Sequence, residues 1–264
     1  MIKITHLGTC SGTEPYKNLH HNSFILEVNG VNYWFDAGEN CAHYAHCSGI
    51  DVMKTKALFI SHCHIDHIGG LPMIFNTIWK LNVAYKKRLI SNDTLRVFIP
   101  RKEIFDAAMT LLSRSPKEEV NIEYNPVKDG VIFEDENVKV TAYHNYHLYH
   151  KGKYESGENG WHSFSYLIET EGKRIVFSGD VGCPYELNAL LEKPCDLLLH
   201  ETGHHKVKDV IDYAKSKGVK KLRFIHHGRE ILNDQEKSVN FVKEYSKKHG
   251  IDAEIAFDLS TIEI

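Results

Sequence analysis

The chain has 264 residues, of which 42% are hydrophobic and 25% charged, and its formal net charge is −3 at pH 7. This composition excludes a disordered or low-complexity chain. The near-neutral charge argues against broad, non-specific nucleic-acid binding, which needs a basic surface. The chain is long enough to bury a large core and to form one large domain or two small ones.

Other features of the sequence bear on location and on metal binding. No apolar run reaches the length of a membrane span, and the first ten residues lack a signal-peptide pattern. The six cysteines form no Cys-x-x-Cys pair, which favours free thiols in a reducing cytoplasm. The 18 histidines outnumber the tyrosines and the phenylalanines, which favours a metal site.

The first half of the chain begins with antiparallel strands. Residues 22–28 and 31–35 flank Asn29-Gly30, a strong hairpin signal, and a strand precedes them at residues 1–7. Further strands are predicted at 57–61, 94–99, 120–125, 131–134 and 138–144, and helices at 67–81 and 101–113.

The second half repeats this organisation. Glu171-Gly172 joins two predicted strands, after which helices and strands alternate. Strands are predicted at 163–169, 173–178, 196–200, 221–226 and 253–257, and helices at 184–192, 206–217 and 235–248. Two halves of this kind indicate two sheets with helices on the outside.

The run from Ser61 to Pro72, which reads SHCHIDHIGGLP, carries the strongest functional signal. His62 and His64 follow an apolar strand, and in extended geometry they point to the same side and can chelate one ion. Asp66 and His67 lie where the chain turns into a helix and can hold a second ion. The run therefore predicts two neighbouring metal ions.

Two neighbouring ions need further ligands, which we expect just after other strands. Asp180 follows an apolar strand and a glycine and is a candidate bridging carboxylate. Two groups of histidines also follow strands, and each should supply one ligand. The first group is His226 and His227, and the second is His144, His147 and His150.

These motifs resemble those of the metallo-β-lactamase superfamily, and most closely its ribonuclease Z-like phosphodiesterase branch. The resemblance covers nearly the whole chain. Besides the metal-binding run, it is carried by Leu7-Gly8-Thr9, Phe35-Asp36-Ala37-Gly38-Glu39, Gly70-Leu71-Pro72, Ser178-Gly179-Asp180, His200-Glu201-Thr202 and Phe257-Asp258-Leu259.

The resemblance implies an α/β fold, an αββα four-layer sandwich, formed by a single domain over residues 1–264. It selects His147, seven residues after Val140, and His226 among the ambiguous histidines. It also implies that His204 is the general acid, oriented by Glu201, although the Ser and Thr of the family's His-Ser-Thr motif are absent. The implied metal ligands are His62, His64, Asp66, His67, His147, Asp180 and His226.

The chemistry implied is that of a dinuclear metal-dependent hydrolase. The nitrogen and carboxylate ligands favour two Zn²⁺ ions, with Mn²⁺ or Fe²⁺ as alternatives. A hydroxide shared by the ions would attack a phosphodiester, and Asp66 would help to orient it. Arg229 and Lys151 are candidate phosphate contacts.

The chain departs from the ribonuclease Z pattern in one important interval. Ribonuclease Z carries a long arm that grips tRNA between the third histidine motif and the Ser-Gly-Asp motif. Here only 33 positions separate His147 from Asp180, which leaves no room for the arm. The sequence therefore favours a small phosphodiester or nucleotide substrate over tRNA, without a membrane partner, in a chain that could form a homodimer. The alternatives are a thioester hydrolase or lactonase on the same fold, and a biosynthetic protein like PQQ synthesis protein B.

Overall fold

The computed structural model describes residues 2–112, 120–149 and 162–264, together with the backbone of residues 150, 153 and 154. The chain divides into two compact units. The first consists of Met1–Val127 with Asp258–Ile264, and the second of Lys128–Phe257. A single domain over residues 1–264 stays a prediction.

The first unit contains a seven-stranded mixed sheet. Its strands, in the order in which they lie side by side, are β16 (Thr261–Glu263), β1 (Ile2–Gly8), β2 (Ser23–Val28), β3 (Val31–Phe35), β4 (Thr55–Phe59), β5 (Thr94–Ile99) and β6 (Asn121–Pro126). Pairing is antiparallel from β16 to β3 and parallel from β3 to β6. Asn29 and Gly30 both have positive φ, as a tight hairpin turn requires, so the predicted hairpin is confirmed.

Among the described residues of this unit, four α-helices accompany the sheet: α1 (Cys41–Cys47), α2 (Ile65–Ile68), α3 (Leu71–Tyr85) and α4 (Lys102–Leu111), with a short 3-10 helix at Val52–Lys54. The helix predicted at 67–81 is thus two helices, separated at Gly69 and Gly70. A Cβ at Gly70 would lie 2.2 Å from the Gly38 carbonyl oxygen, so only glycine permits this approach. Apolar residues of α3 recur every three or four positions and enter a core that includes Trp34 and Leu58.

The second unit contains another seven-stranded mixed sheet and a two-stranded hairpin. The strands of the sheet, side by side, are β15 (Asp252–Ile255), β14 (Lys221–Ile225), β13 (Leu197–Glu201), β12 (Lys173–Phe177), β11 (Phe164–Thr170), β8 (Lys139–His144) and β7 (Gly130–Glu134). The hairpin is β9 (Tyr149–His150) with β10 (Lys153–Tyr154). Pairing is antiparallel from β7 to β12 and parallel from β12 to β15, the organisation predicted for this half.

The helices of the second unit are α5 (Val207–Ser216), α6 (Arg229–Leu232) and α7 (Gln235–His249), with a 3-10 helix at Pro184–Asn188. The helix predicted over 184–192 forms only in part, as this 3-10 helix. Leu187, Leu190 and Leu191 have helical spacing and are buried in the core, but Leu190 and Leu191 lie in a turn that follows the 3-10 helix. The Leu190 carbonyl accepts a hydrogen bond from the Arg174 guanidinium instead of a helical amide.

Within the described part of the chain, no helix has the length and apolar character needed to cross a membrane.

Candidate metal centre

The first unit gathers the four predicted ligands of the SHCHIDH run at the end of β4. The His62 and His67 side chains are fully buried, and their ring centroids lie 4.0 Å apart. The His64 ring lies 4.7 Å from that of His62, and Asp66 Oδ2 lies 3.4 Å from His67 Nε2. The strand end and the one-turn helix α2 therefore place three imidazoles and a carboxylate within reach of metal ions.

Asp36 orients His67, a role that the sequence did not reveal. Its buried Oδ2 lies 2.7 Å from His67 Nδ1, so Nε2 is the nitrogen of that imidazole that could coordinate a metal ion. The same carboxylate accepts hydrogen bonds from the Ser61 amide at 2.7 Å, the Ser61 hydroxyl at 2.9 Å and the Asn22 amide group at 3.2 Å. The one signal in the sequence was its place in the Phe-Asp-x-Gly-Glu motif.

Asp66 is packed against a glycine of an earlier loop. A Cβ at Gly12 would lie 2.9–3.1 Å from the atoms of the Asp66 carboxyl group, so a larger residue would displace that carboxyl group. Cys63, between His62 and His64, has a thiol whose pKa burial raises to about 12. In the metal-free protein it is therefore a protonated thiol at neutral pH.

The second unit gathers Asp180 with two of the histidines that the sequence left ambiguous. Asp180 is buried after Gly179, and its Oδ2 lies 3.6 Å from His147 Nε2. Its Oδ1 lies 3.3 Å from His226 Nδ1. His226 follows β14 with a φ of 48°, an uncommon value for a residue other than glycine that is found at functional sites.

Glu201 and His204 form a hydrogen-bonded pair beside Asp180. Both oxygens of the fully buried Glu201 lie 3.1 Å from His204 Nδ1, and its Oε2 accepts the His204 backbone amide at 2.9 Å. This bond to Glu201 raises the pKa of His204 above its usual value of 6.5, against the opposing effect of burial. Burial would raise the pKa of Glu201, but the bonds from His204 and His226 outweigh it and hold that pKa well below the usual range.

The other histidines near these ligands have different partners. His144 Nδ1 lies 2.6 Å from Asp129 Oδ2 at the surface. His227 Nε2 donates to the Ala256 carbonyl at 2.6 Å, and His200 Nδ1 donates to the Glu201 carbonyl at 2.7 Å. Burial lowers the pKa of both His200 and His227 to about 4, so both are neutral structural histidines.

Only one of the two predicted phosphate contacts lies in the described part of the chain. Arg229 is exposed at the first position of α6. Lys151 lies outside the described residues, as does the side chain of His150. The roles assigned to both cations therefore stay predictions.

The residues present fit divalent metal ions. Asp180, Glu201, His204 and His226 each offer one ligand atom, and these four atoms lie within 4.8 Å of one another. In the first unit, the ligand atoms of His62 and His64 meet the same limit, and so do those of Asp66 and His67. Imidazole and carboxylate donors are the ligands of catalytic zinc and of related divalent ions.

Comparisons with known proteins agree with this fold. A family model described as "Anti-Pycsar protein Apyc1" matches residues 2–246. Ribonuclease Z of Methanothermobacter thermautotrophicus is 24% identical to this chain, over 100% of the chain and 97% of the relative. The crystal structure of human tRNase Z, short form, superposes with a TM-score of 0.71 at 19% identity, covering 99% of each chain. The metallo-β-lactamase fold protein YhfI of Bacillus subtilis superposes with a TM-score of 0.73 at 15% identity, covering 100% of this chain and 99% of YhfI. The predicted superfamily, its ribonuclease Z-like branch and the metallo-β-lactamase fold are confirmed.

Proposed function

We propose, from the premise that the chain belongs to the Anti-Pycsar protein Apyc1 family, that the protein is a metal-dependent phosphodiesterase whose substrate is a small phosphodiester. The coarser prediction, a metal-dependent hydrolase of phosphodiester bonds, is confirmed by ribonuclease Z relatives that match the whole chain. The observation that carries the proposal is the cluster of Asp180, Glu201, His204 and His226, which joins metal ligands to a hydrogen-bonded histidine–carboxylate pair.

The proposal assigns the metal ligands in two sets of three with one shared carboxylate. One ion is assigned to His62, His64 and His147, the other to Asp66, His67 and His226, and Asp180 is the shared ligand. Zinc is the proposed metal, and manganese or iron are the alternatives. When bound, such ions lower the pKa of a water molecule and neutralise charge on phosphoryl oxygens.

The protein's own acid–base group in this proposal is His204. Its side chain is 45% exposed, so a substrate can reach it, while the partner carboxylate of Glu201 is fully buried. Because Nδ1 faces Glu201, Nε2 is the nitrogen that would donate a proton to the leaving oxygen. The raised pKa of His204 favours the protonated imidazolium that a general acid requires. Asp66, which belongs to the first unit, would help to orient the attacking nucleophile.

The preference for a small substrate rests on chain length and charge. The alignment with the Methanothermobacter ribonuclease Z runs over 315 positions, 51 more than the 264 residues of this chain. Positions of the relative therefore lack counterparts here, in accordance with the short interval of 33 positions between His147 and Asp180. A net charge of −3 supplies no general attraction for a polyanion such as tRNA.

The test is a paired assay on purified protein whose metal content has been measured. Bis(p-nitrophenyl) phosphate, 2′,3′-cyclic nucleotides and a precursor tRNA are compared, each with and without a chelator. Chelator-sensitive turnover of the small esters alone supports the proposal. Turnover of thioesters or lactones by the metal-loaded protein, without hydrolysis of any phosphodiester, would refute it. Light scattering on the same sample tests the predicted homodimer.

The role of His204 has its own test. His204→Gln should slow hydrolysis of a cyclic nucleotide, whose leaving alkoxide needs a proton, much more than that of bis(p-nitrophenyl) phosphate. General acid catalysis contributes about 10²- to 10⁴-fold for a poor leaving group. His144→Gln is the control, because His144 lies at the surface, where its ring bonds to Asp129. Equal effects on both substrates would contradict the assignment.

A further inference from the structure

Glu186 connects two segments of the second unit that carry predicted metal ligands. Its Oε2 accepts the backbone amide of Tyr146 at 2.9 Å and that of Gly182 at 3.3 Å. Tyr146 directly precedes His147, and Gly182 lies two residues after Asp180. One carboxylate oxygen therefore joins the loop that carries His147 to the turn that follows Asp180.

The second oxygen of Glu186 has a different and purely local task. Its Oε1 accepts the Cys183 amide at 3.1 Å, which caps the 3-10 helix at Pro184–Asn188 in a capping-box arrangement. Capping needs only this oxygen. The bond to Tyr146 spans 40 residues of sequence and adds nothing to the cap, so it requires another explanation.

The packing around Gly182 supports the same connection. A Cβ at Gly182 would lie 2.7 Å from Glu186 Oε1 and 3.5 Å from the Tyr146 Cβ and carbonyl carbon. The Tyr146 atoms would be in ordinary contact, so it is the Glu186 carboxylate that glycine at this position allows to approach closely. An alanine would push the carboxylate away from the amides that it accepts.

His147 is also held from the opposite direction, through Asn145. The Asn145 side chain accepts the His147 amide at 3.2 Å and donates to the Ser165 hydroxyl at 3.2 Å, which fixes the loop to β11. This contact does not involve the turn after Asp180. The hydrogen bonds of Glu186 supply the connection between that turn and the His147 loop.

We propose that Glu186 is a positioning residue, which sets the placement of His147 relative to Asp180 and thereby the affinity of the site for its metal. The inference rests on the proposed function, since it takes both residues as ligands. Residues that orient metal ligands typically contribute 10- to 100-fold to metal affinity. Glu186 acts through backbone amides, so we expect about a tenfold loss at one ion when it is removed.

The first experiment measures metal affinity without activity. Chelator-stripped wild type, Glu186→Ala, Glu186→Gln and Gly182→Ala are titrated with zinc in a calorimeter. Glu186→Ala and Gly182→Ala should bind one ion about tenfold more weakly. Glu186→Gln should fall between, because its amide oxygen still accepts hydrogen bonds while its amide nitrogen cannot. Asp234→Ala is the matched control, since Asp234 caps α7 through the Lys237 amide.

The second experiment is kinetic and separates positioning from folding. At low zinc the kcat of Glu186→Ala should fall with little change in KM, and excess zinc should restore it. The inference would be overturned if folded Glu186→Ala bound zinc as tightly as the wild type, or if Asp234→Ala lost as much zinc affinity as Glu186→Ala. Either result would leave the proposed function intact. If Glu186→Ala does not fold, Glu186→Gln and Gly182→Ala decide by the same criteria. A wild-type chain that takes up no metal would overturn the proposed function as well.

Discussion

Replacing Asp36 by Asn tests whether the buried network behind His67 serves metal binding as well as stability. The Asp36 carboxylate is fully buried and receives four donor groups. Oδ1 takes the Ser61 amide, while Oδ2 faces His67, the Ser61 hydroxyl and Asn22. An asparagine would keep its oxygen toward the three donors and turn its amide nitrogen toward the Ser61 amide.

The cost of this change follows from the geometry. One hydrogen bond to a charged group is lost and its buried donor is left unsatisfied, while three others lose the charge of their acceptor. A buried donor without a partner costs about 1–3 kcal/mol, and bonds to charged groups contribute about 1.5–3 kcal/mol each. We expect a loss of about 3–5 kcal/mol in the free energy of unfolding, since the asparagine oxygen retains part of the interaction. Zinc affinity should fall about 10- to 100-fold, because the His67 imidazole becomes less basic.

The assay is urea unfolding of the metal-free protein, combined with a zinc titration of the folded protein. Asp51→Asn is the control in the same unit, since Asp51 caps the 3-10 helix at Val52–Lys54 through one amide, that of Met53. A loss of stability in Asp36→Asn with wild-type zinc affinity would refute the link from Asp36 through His67 to the metal. Unchanged stability would refute the network itself.

Three further predictions follow from the same contacts. His147→Ala should weaken zinc binding at least tenfold and abolish most turnover. His144→Ala, at the last residue of β8, should leave both zinc affinity and turnover unchanged. Gly12→Ala should lower zinc affinity, because its Cβ would lie 2.9 Å from the Asp66 carboxyl carbon, and unchanged affinity in calorimetry would contradict this contact. In the metal-free protein, His200 has a folded pKa of about 4 against 6.5 when unfolded, so the stability it contributes is present above pH 6.5 and is lost as the pH falls toward 4. Near pH 5 the free energy of unfolding, measured with urea, should change with pH by about 1.4 kcal/mol per unit less in His200→Gln than in the wild type. Equal pH dependence in the two proteins would contradict the assignment of His200 as buried and neutral.

The parts of the fold that the sequence predicted are those with local causes. The hairpin at Asn29-Gly30, the strands flanking it and the amphipathic helix α5 follow from turn chemistry or from apolar periodicity. Helix α1 was missed, because its sequence, CAHYAHC, has no side-chain cap and little apolar periodicity. The segment 184–192 has the periodicity of a longer helix but forms only the 3-10 helix at Pro184–Asn188, and the Leu190 carbonyl, which a longer helix would use, accepts from Arg174.

The same distinction applies to the candidate site. The SHCHIDH run was recognisable because its ligands are neighbours in sequence. The positioning groups were not, because Asp36 lies 31 residues from His67 and Glu186 lies 40 residues from Tyr146. Such contacts depend on which strand ends meet in the folded sheet, a property that spacing along the chain does not encode. The choice of His226 over His227 came from the family resemblance and stays a prediction. In the structure His227 bonds to the Ala256 carbonyl, whereas His226 lies beside Asp180.

The preference for a small substrate leads to a last prediction, on competition by tRNA. A protein that grips tRNA neutralises several phosphates, so its binding weakens steeply with salt and is strongest at low salt. This chain has a net charge of −3 and only 33 positions where the ribonuclease Z arm would be inserted. Precursor tRNA at micromolar concentration and low salt should therefore leave hydrolysis of a 2′,3′-cyclic nucleotide unchanged. Strong, salt-sensitive inhibition would show that the surface holds tRNA without an arm, and the argument from the short interval would fail.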